Sequence, residues 1–334
     1  MTHHTMTHHT MTLHLPLILV GALAIACIGP KKESKPTTTD NDTTPQQQVV
    51  YKQEKDTNDT VPTPQKGGSA IQDSVFYSKV LGSNRNYTVY LPPSYHSDTR
   101  REYPILYLLH GMLDDNRCWA ERAHLQAVTD SLISQGKCCE MIIVTPCAGG
   151  KANVDWNGYF DMPGWAYESF FFKEFLPFIE SHYRVSKTKG RRAVAGLSMG
   201  GGAATSYAQR YLGMFSGCYA MSALMDIVPL PGSKAGKNSK VGLMSTSVAE
   251  KSCTKFVQNA KESTVDSLRL VKWYVDCGDK DFLLQRNREF IAAMKAKKIP
   301  LSVQIRKGTH SWQYWHSGLF ICLPFISDSF AKEQ

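Results

Sequence analysis

The chain has 334 residues, 42% of them hydrophobic and 10% aromatic, enough for one large domain or two small ones and too apolar for a disordered protein. Its formal net charge is +9, and the whole excess lies beyond residue 67, because the first 67 residues carry six Lys and six Asp or Glu. No dense Lys/Arg block or nucleic-acid motif accompanies that charge, which argues against a nucleic-acid partner and leaves a mildly basic surface.

Leu13 to Ala26 is apolar apart from His14, too short to span a bilayer and the right length for the core of an export signal. It ends in Ala24-Ile25-Ala26-Cys27, which resembles a bacterial lipobox, so Cys27 is expected to be lipidated and to become the mature N-terminus. Ala24 in place of the usual Leu, and the lack of Lys or Arg ahead of the apolar run, depart from that pattern. The alternative is an ordinary signal cut after Ala26. Residues 28–67 are rich in Thr, Gln, Asp, Pro and Lys and nearly free of aromatics. Such a segment cannot bury enough apolar surface to offset its chain entropy, and reads as a flexible tether. The expected organisation is a signal over 1–27, a linker over 28–67 and one folded domain over 68–334. The expected location is outside the cytoplasm, in the periplasm or at the outer membrane or cell surface, with a lipid anchor in the membrane.

The folded part opens with strand signals. Tyr87 to Leu91 is β-branched and aromatic and closes on Pro92-Pro93. Pro104 to Leu109 is a continuous apolar run, as in a strand buried on both faces, and ends at His110-Gly111-Met112. Cys118 to Ile133 reads as one amphipathic helix and Met141 to Val144 as the next buried strand. A Gly- and Asp-rich loop then carries Trp156, Tyr159, Phe160 and Trp165. Phe172, Phe175, Leu176 and Ile179 fall at i, i+3, i+4 and i+7, which predicts a helix over 168–183 kinked at Pro177. Ala193 to Gly202 runs from apolar residues through Gly196-Leu197-Ser198-Met199-Gly200 into small residues. That is the pattern of a strand, a tight turn presenting Ser198, and a helix whose positive N-terminal end lies under the serine. Gly217 to Met221 is a further strand. Val228 to Ala249 is Pro-, Gly-, Ser- and Lys-rich and reads as a surface excursion. Strands at Leu270–Val275 and Leu301–Ile305 flank a helix over 283–297, and Trp312 to Ala331 closes the chain as a helix. The alternation implies an α/β fold with a mostly parallel sheet and helices on both faces.

Chemistry in such a fold collects in loops at the carboxyl ends of strands. A serine on the turn needs a base and the base a carboxylate, in the chain order Ser, Asp or Glu, His. His310 follows the last strand in Gly308-Thr309-His310, and Asp276, Asp279 and Asp281 follow the one before it. Asp276 falls at the strand's end, and Asp279 and Asp281 compete for the loop. The backbone N–H groups of Met112 and Met199 are expected to form the oxyanion hole. Trp156, Tyr159 and Trp165 are candidates for stacking a phenolic acyl group or a sugar ring, or else for filling the core under their loop. The nine cysteines show no regular spacing and no Cys-x-x-Cys pair, so neither a disulfide framework nor a zinc site is expected.

With these residues together, the domain from about 75 to 330 is similar to the esterase D and feruloyl esterase family of α/β-hydrolases, which also holds tributyrin esterases, enterochelin esterases and mycolyltransferases. The matching stretches are Tyr87 to Tyr95, Tyr103 to Met112, Ala195 to Gly201, Cys277 to Phe282 and Gly308 to Trp315. The resemblance favours Asp281 over Asp279 as the carboxylate. It implies an α/β-hydrolase fold and a serine carboxylic-ester hydrolase that needs no metal or organic cofactor. The implied substrates are feruloyl or acetyl esters on plant polysaccharide or oligosaccharide. The alternatives are a short-chain acyl or enterochelin-type esterase, or a non-catalytic glycan-binding lipoprotein. One departure is the extra glycine of the Gly200-Gly201-Gly202 run, expected to loosen the first turn of the helix after Ser198.

Overall fold

The computed structural model describes residues 68–149, 158–187, 189–227, 236 and 238–331. Its main sheet has eight strands: β1 (Ala70–Ser78), β2 (Ser83–Leu91), β3 (Ile105–Leu109), β4 (Ile142–Pro146), β7 (Arg192–Leu197), β8 (Gly217–Met221), β9 (Lys272–Gly278) and β10 (Ser302–Arg306). A two-stranded hairpin, β5 (Asp161–Met162) with β6 (Trp165–Ala166), stands apart from it. The order is β1-β2-β4-β3-β7-β8-β9-β10. β2 is antiparallel to both β1 and β4, and every pairing from β4 to β10 is parallel. This is the mostly parallel sheet expected.

The helices are α1 (Cys118–Arg122), α2 (Leu125–Ser134), α3 (Tyr167–Phe170), α4 (Leu176–His182), α5 (Ser198–Arg210), α6 (Lys240–Glu250), α7 (Cys253–Gln258), α8 (Glu262–Arg269), α9 (Leu284–Ala296) and α10 (Trp312–Ser329). Strand side chains alternate between two apolar layers, one on each face of the sheet. Ile105, Tyr107 and Leu109 of β3 join one layer with Val144 and Val194. Leu106 and Leu108 join the other with Ile143, Ala195, Leu197 and the α10 residues Leu319 and Leu323. β3 and β7, the central pair, are buried throughout. Their carboxyl ends are therefore rigid, and the chemistry sits there.

Several elements differ from the expectation. The helix expected over 118–133 is two helices, broken where His124 takes φ +52 ahead of α2. The helix around Pro177 is continuous with a π-helical turn over Phe171–Phe175, which widens the spiral just before the proline ring needs room. The surface excursion over 228–249 contains α6, started by Ser239, whose side chain accepts the Gly242 N–H at 3.1 Å. β1 had no expectation, whereas β10 is the strand expected and forms the edge of the sheet, with Val303 and Ile305 exposed. The eight described cysteines are all free thiols.

Candidate active site

β7 delivers Ser198 at its carboxyl end, where the chain turns into α5 with Ser198 at φ +54. A serine in that left-handed region is strained, and the strain holds its side chain proud of the sheet. The turn closes only with glycine on either side. A Cβ on Gly196 would lie 2.5 Å from the Gly200 carbonyl carbon, and one on Gly200 would strike the His110 carbonyl oxygen. The third glycine is equally constrained. A Cβ on Gly202 would drive into the Leu224 carbonyl oxygen, so this glycine admits close packing of α5 on the chain after β8. The expectation of a loosened first turn is corrected: α5 runs unbroken for 13 residues, all but the last buried.

The loops after β9 and β10 bring the next two groups. Ser198 Oγ lies 3.0 Å from His310 Nε2, and His310 Nδ1 lies 2.9 Å from Asp281 Oδ2. The other Asp281 oxygen accepts the Leu283 N–H at 2.8 Å. Burial alone would raise the Asp281 carboxyl, but the hydrogen bond and charge of His310, with Ser222 and the Leu283 N–H, outweigh it and hold the group below the usual carboxylate value. An ionised carboxylate only accepts, so Nδ1 carries the proton and Nε2 is left to accept from the Ser198 hydroxyl. The imidazole is fixed between rings, Phe282 at 4.5 Å and Trp315 edge-on at 4.8 Å. Asp279 does different work: its Oδ1 accepts the Gly308 N–H at 2.9 Å and pins the loop that carries His310. The Asp279–Asp281 ambiguity is thus resolved by position.

The chain after β3 faces Ser198 from the other side. A Cβ on Gly111 would sit 3.7 Å from Ser198 Cβ, so Met112 follows directly beside the nucleophile, and Met199 is its neighbour in sequence. His110 is fully buried with both ring nitrogens engaged, Nε2 accepting the Ala148 N–H at 2.8 Å and Nδ1 donating to the Gly111 carbonyl at 2.7 Å. Burial pushes its pKa down to about 4, and it stays neutral. The Gly111 carbonyl and the Met112 N–H belong to one planar peptide, so the His110 bond to the first orients the second.

Residues 78–326 match the family model described as "Putative esterase". The chain belongs to this esterase family. A solved ferulic acid esterase is 52% identical with a TM-score of 0.77, over 79% of this chain and 100% of that one. The endo-1,4-beta-xylanase/feruloyl esterase of Xylanibacter ruminicola is 31% identical over 135 residues, which are 39% of this chain and 18% of that protein. The chain therefore spans less than a fifth of that curated relative. The acetyl esterase of Caldicellulosiruptor saccharolyticus is 24% identical over 275 residues, 77% of this chain and 98% of that one.

Of the two readings of the aromatic loop, Tyr159 and Trp165 take the core-filling one. Tyr159 is 1% exposed; its hydroxyl accepts the His110 N–H at 2.8 Å and donates to the His110 carbonyl at 3.2 Å. Trp165 is buried, its indole N–H on the Gly158 carbonyl at 2.8 Å and its ring between Tyr167 and the Arg85 guanidinium. Neither ring is open to stack on a substrate, so the binding role is corrected for both: Tyr159 braces the His110 backbone, and Trp165 packs in the core. Trp156 and Cys27 lie outside the described residues. Residue patterns missed the supporting groups. Asp276 is the plainest case: it is fully buried on β9, where Arg306 Nη2 at 2.7 Å, the Tyr219 hydroxyl at 3.0 Å and the Tyr314 hydroxyl all meet it. An acidic residue inside the run from Trp273 to Cys277 was the signal, since a buried carboxylate demands partners.

Proposed function

We propose that this protein is a serine carboxylic-ester hydrolase that releases feruloyl or acetyl groups from plant cell-wall polysaccharide. The observation that carries the reading is the hydrogen-bonded run from Ser198 through His310 to Asp281 on the strained turn after β7. The ferulic acid esterase likeness at 52% identity supports the acyl class. Ser198 Oγ attacks the ester carbonyl while His310 Nε2 takes its proton, and Asp281 holds the tautomer and stabilises the imidazolium. The Met112 and Met199 N–H groups receive the oxyanion, at roughly 3 kcal/mol per donor in comparable sites. The protonated His310 then gives its proton to the departing sugar oxygen, and water repeats the sequence on the acyl-enzyme. Ser198→Ala should abolish turnover of methyl ferulate, acetylated xylan and p-nitrophenyl butyrate while leaving thermal unfolding nearly unchanged. Turnover in that variant near wild type overturns the assignment. Ferric enterobactin as the preferred substrate of the wild type moves the acyl class instead.

We further propose export and lipidation at Cys27, with residues 28–67 as the tether. Acyl chains contribute about 0.8 kcal/mol per buried CH₂, and several together hold firmly. A flexible tether of that length reaches roughly 35 Å, enough to clear the headgroups and meet a polymer. Mature protein should fractionate with membranes, and Cys27→Ala should not. Recovery of the wild type wholly in the soluble fraction overturns this reading.

A further inference from the structure

Leu113 stands at φ +67, a conformation that favours glycine, in the turn that carries the Met112 N–H. The Asp114 N–H closes this turn on the Gly111 carbonyl at 3.4 Å. A leucine stays in that region only where its surroundings over-determine it. The Asp114 side chain supplies such a surrounding. Its carboxylate is 4% exposed, and Oδ1 accepts Arg122 Nη1 at 3.0 Å. Oδ2 lies 3.2 Å from the point a Gly111 Cβ would occupy, and that point is 3.7 Å from Ser198 Cβ, so the carboxylate packs against the Gly111 position that the turn sets next to the nucleophile. The Arg122 guanidinium in turn lies over the Trp312 ring, 5.5 Å from its centroid. Trp312 packs edge-on against Trp315 at 5.2 Å, and Trp315 edge-on against His310 at 4.8 Å. The contacts are continuous from the turn beside Ser198 to the imidazole.

We infer that Asp114 and Arg122 are positioning residues for the acyl-transfer site: their ion pair, seated on Trp312, holds the strained Leu113 turn so that the Met112 N–H stays in register with Ser198 and His310. The inference rests on the esterase reading. Stability does not account for the pair. Arg122 is half exposed, where an ion pair contributes little. Burial meanwhile pushes the Asp114 carboxyl up to about 7, against a smaller lowering by Arg122, so ionising it works against the fold. The other titratable groups around it are Asp115 on the same turn and Cys118 on α1; Trp312 brings no charge from α10. A carboxyl kept in a place that disfavours its ionisation is explained by what it holds when ionised.

The test is steady-state kinetics of the full-length protein on methyl ferulate and p-nitrophenyl butyrate, with fluorophosphonate labelling of Ser198. Asp114→Asn and Arg122→Met should each lower kcat about tenfold or more, as sub-ångström misplacement does, with KM held within about twofold. The double variant should be no slower than the slower single, because the two act as one unit. Leu113→Gly added to Asp114→Asn should restore most of kcat, since glycine takes the turn's φ without being held. The acid-side fall of kcat should be steeper in the wild type than in Asp114→Asn. Unchanged kcat in both single variants, a loss carried by KM, or no rescue by Leu113→Gly overturns the inference. Should Asp114→Asn fail to fold, Arg122→Met, altered at a half-exposed side chain, decides alone. A wild type that neither turns over esters nor labels at Ser198 defeats the esterase reading and this inference together; an active wild type matched by its variants defeats only the inference.

Discussion

Asp279 and Asp281 are separated by one residue, and their consequences on substitution should differ by orders of magnitude. Asp281→Asn keeps the shape but replaces an acceptor with a group that can donate to Nδ1, favouring the imidazole tautomer that cannot accept from Ser198; kcat should fall by on the order of 10⁴. Asp279→Asn retains an oxygen for the Gly308 N–H and should cost far less. Parallel kcat measurements on the two variants check this, and a reversal of the two effects shows that the wrong carboxylate faces the base. Ser198 and His310 were legible in the sequence because each is tied to a local pattern, the glycine-bounded turn and the loop after the last strand. The choice of carboxylate was not. It depends on the turn that bonds the Asp281 N–H to the Gly278 carbonyl at 3.2 Å and on the start of α9, which no short pattern encodes. The role of Tyr159 stayed open for a related reason. An aromatic residue in a polar loop looks the same in sequence whether its hydroxyl faces a substrate or the His110 backbone.

At the level of elements, α5 is the one that cannot be shifted. It packs on β7 and on the chain after β8 through glycines, and the Leu224 N–H bonds back to the Ser198 carbonyl at 2.8 Å. Gly202→Ala sets a Cβ against main chain, which has no rotamer to escape into. It should destabilise by about 2–3 kcal/mol, toward the upper end of overpacking costs, even though alanine is the better helix former. Urea unfolding measures this, and a stability equal to or above wild type shows that α5 and the Leu224 segment separate readily. The central strands were readable from sequence because burial on both faces writes a continuous apolar run. The peripheral elements were not. β1 places Val75 and Tyr77 on its exposed side, which blurs the two-residue alternation. α6 begins in a Lys- and Gly-rich stretch whose only helix signal is the Ser239 cap. The break between α1 and α2 sits at a histidine, a residue that does not announce a left-handed turn.

For the molecule as a whole, two buried groups flanking the same turn give stability opposite slopes with pH. His110 is lowered by burial from 6.5 to about 4, with Arg85 adding to the fall and the Gly111 carbonyl and Asp115 opposing it. Between those values the unfolded chain binds more protons than the folded one, so stability rises with pH through the window and is lost as pH falls. Asp114 is raised by burial from 3.8 to about 7, with Arg122 opposing and Asp115 assisting. There the folded chain binds more protons, and stability falls as pH rises. Over most of the acid range the two slopes cancel in the wild type. Asp114→Asn removes one of them. Its melting temperature should climb from about pH 4.5 to 6.5, where the wild type stays nearly flat, because only the His110 slope then remains. At pH 8 it should exceed wild type. With ~1.4 kcal/mol per pKa unit over the rise from 3.8 to about 7, and roughly 2–4 °C per kcal/mol for a domain of this size, the gain is on the order of 10 °C. Thermal unfolding of both proteins across pH 4.5–8 measures it, and superimposable curves show that Asp114 is not the buried proton site. The same substitution is expected to slow the enzyme, and a variant that is both firmer and slower carries a specific meaning. A residue needed only for packing loses stability and activity together, whereas a carboxyl that ionises against its own desolvation to fix a strained turn trades one for the other.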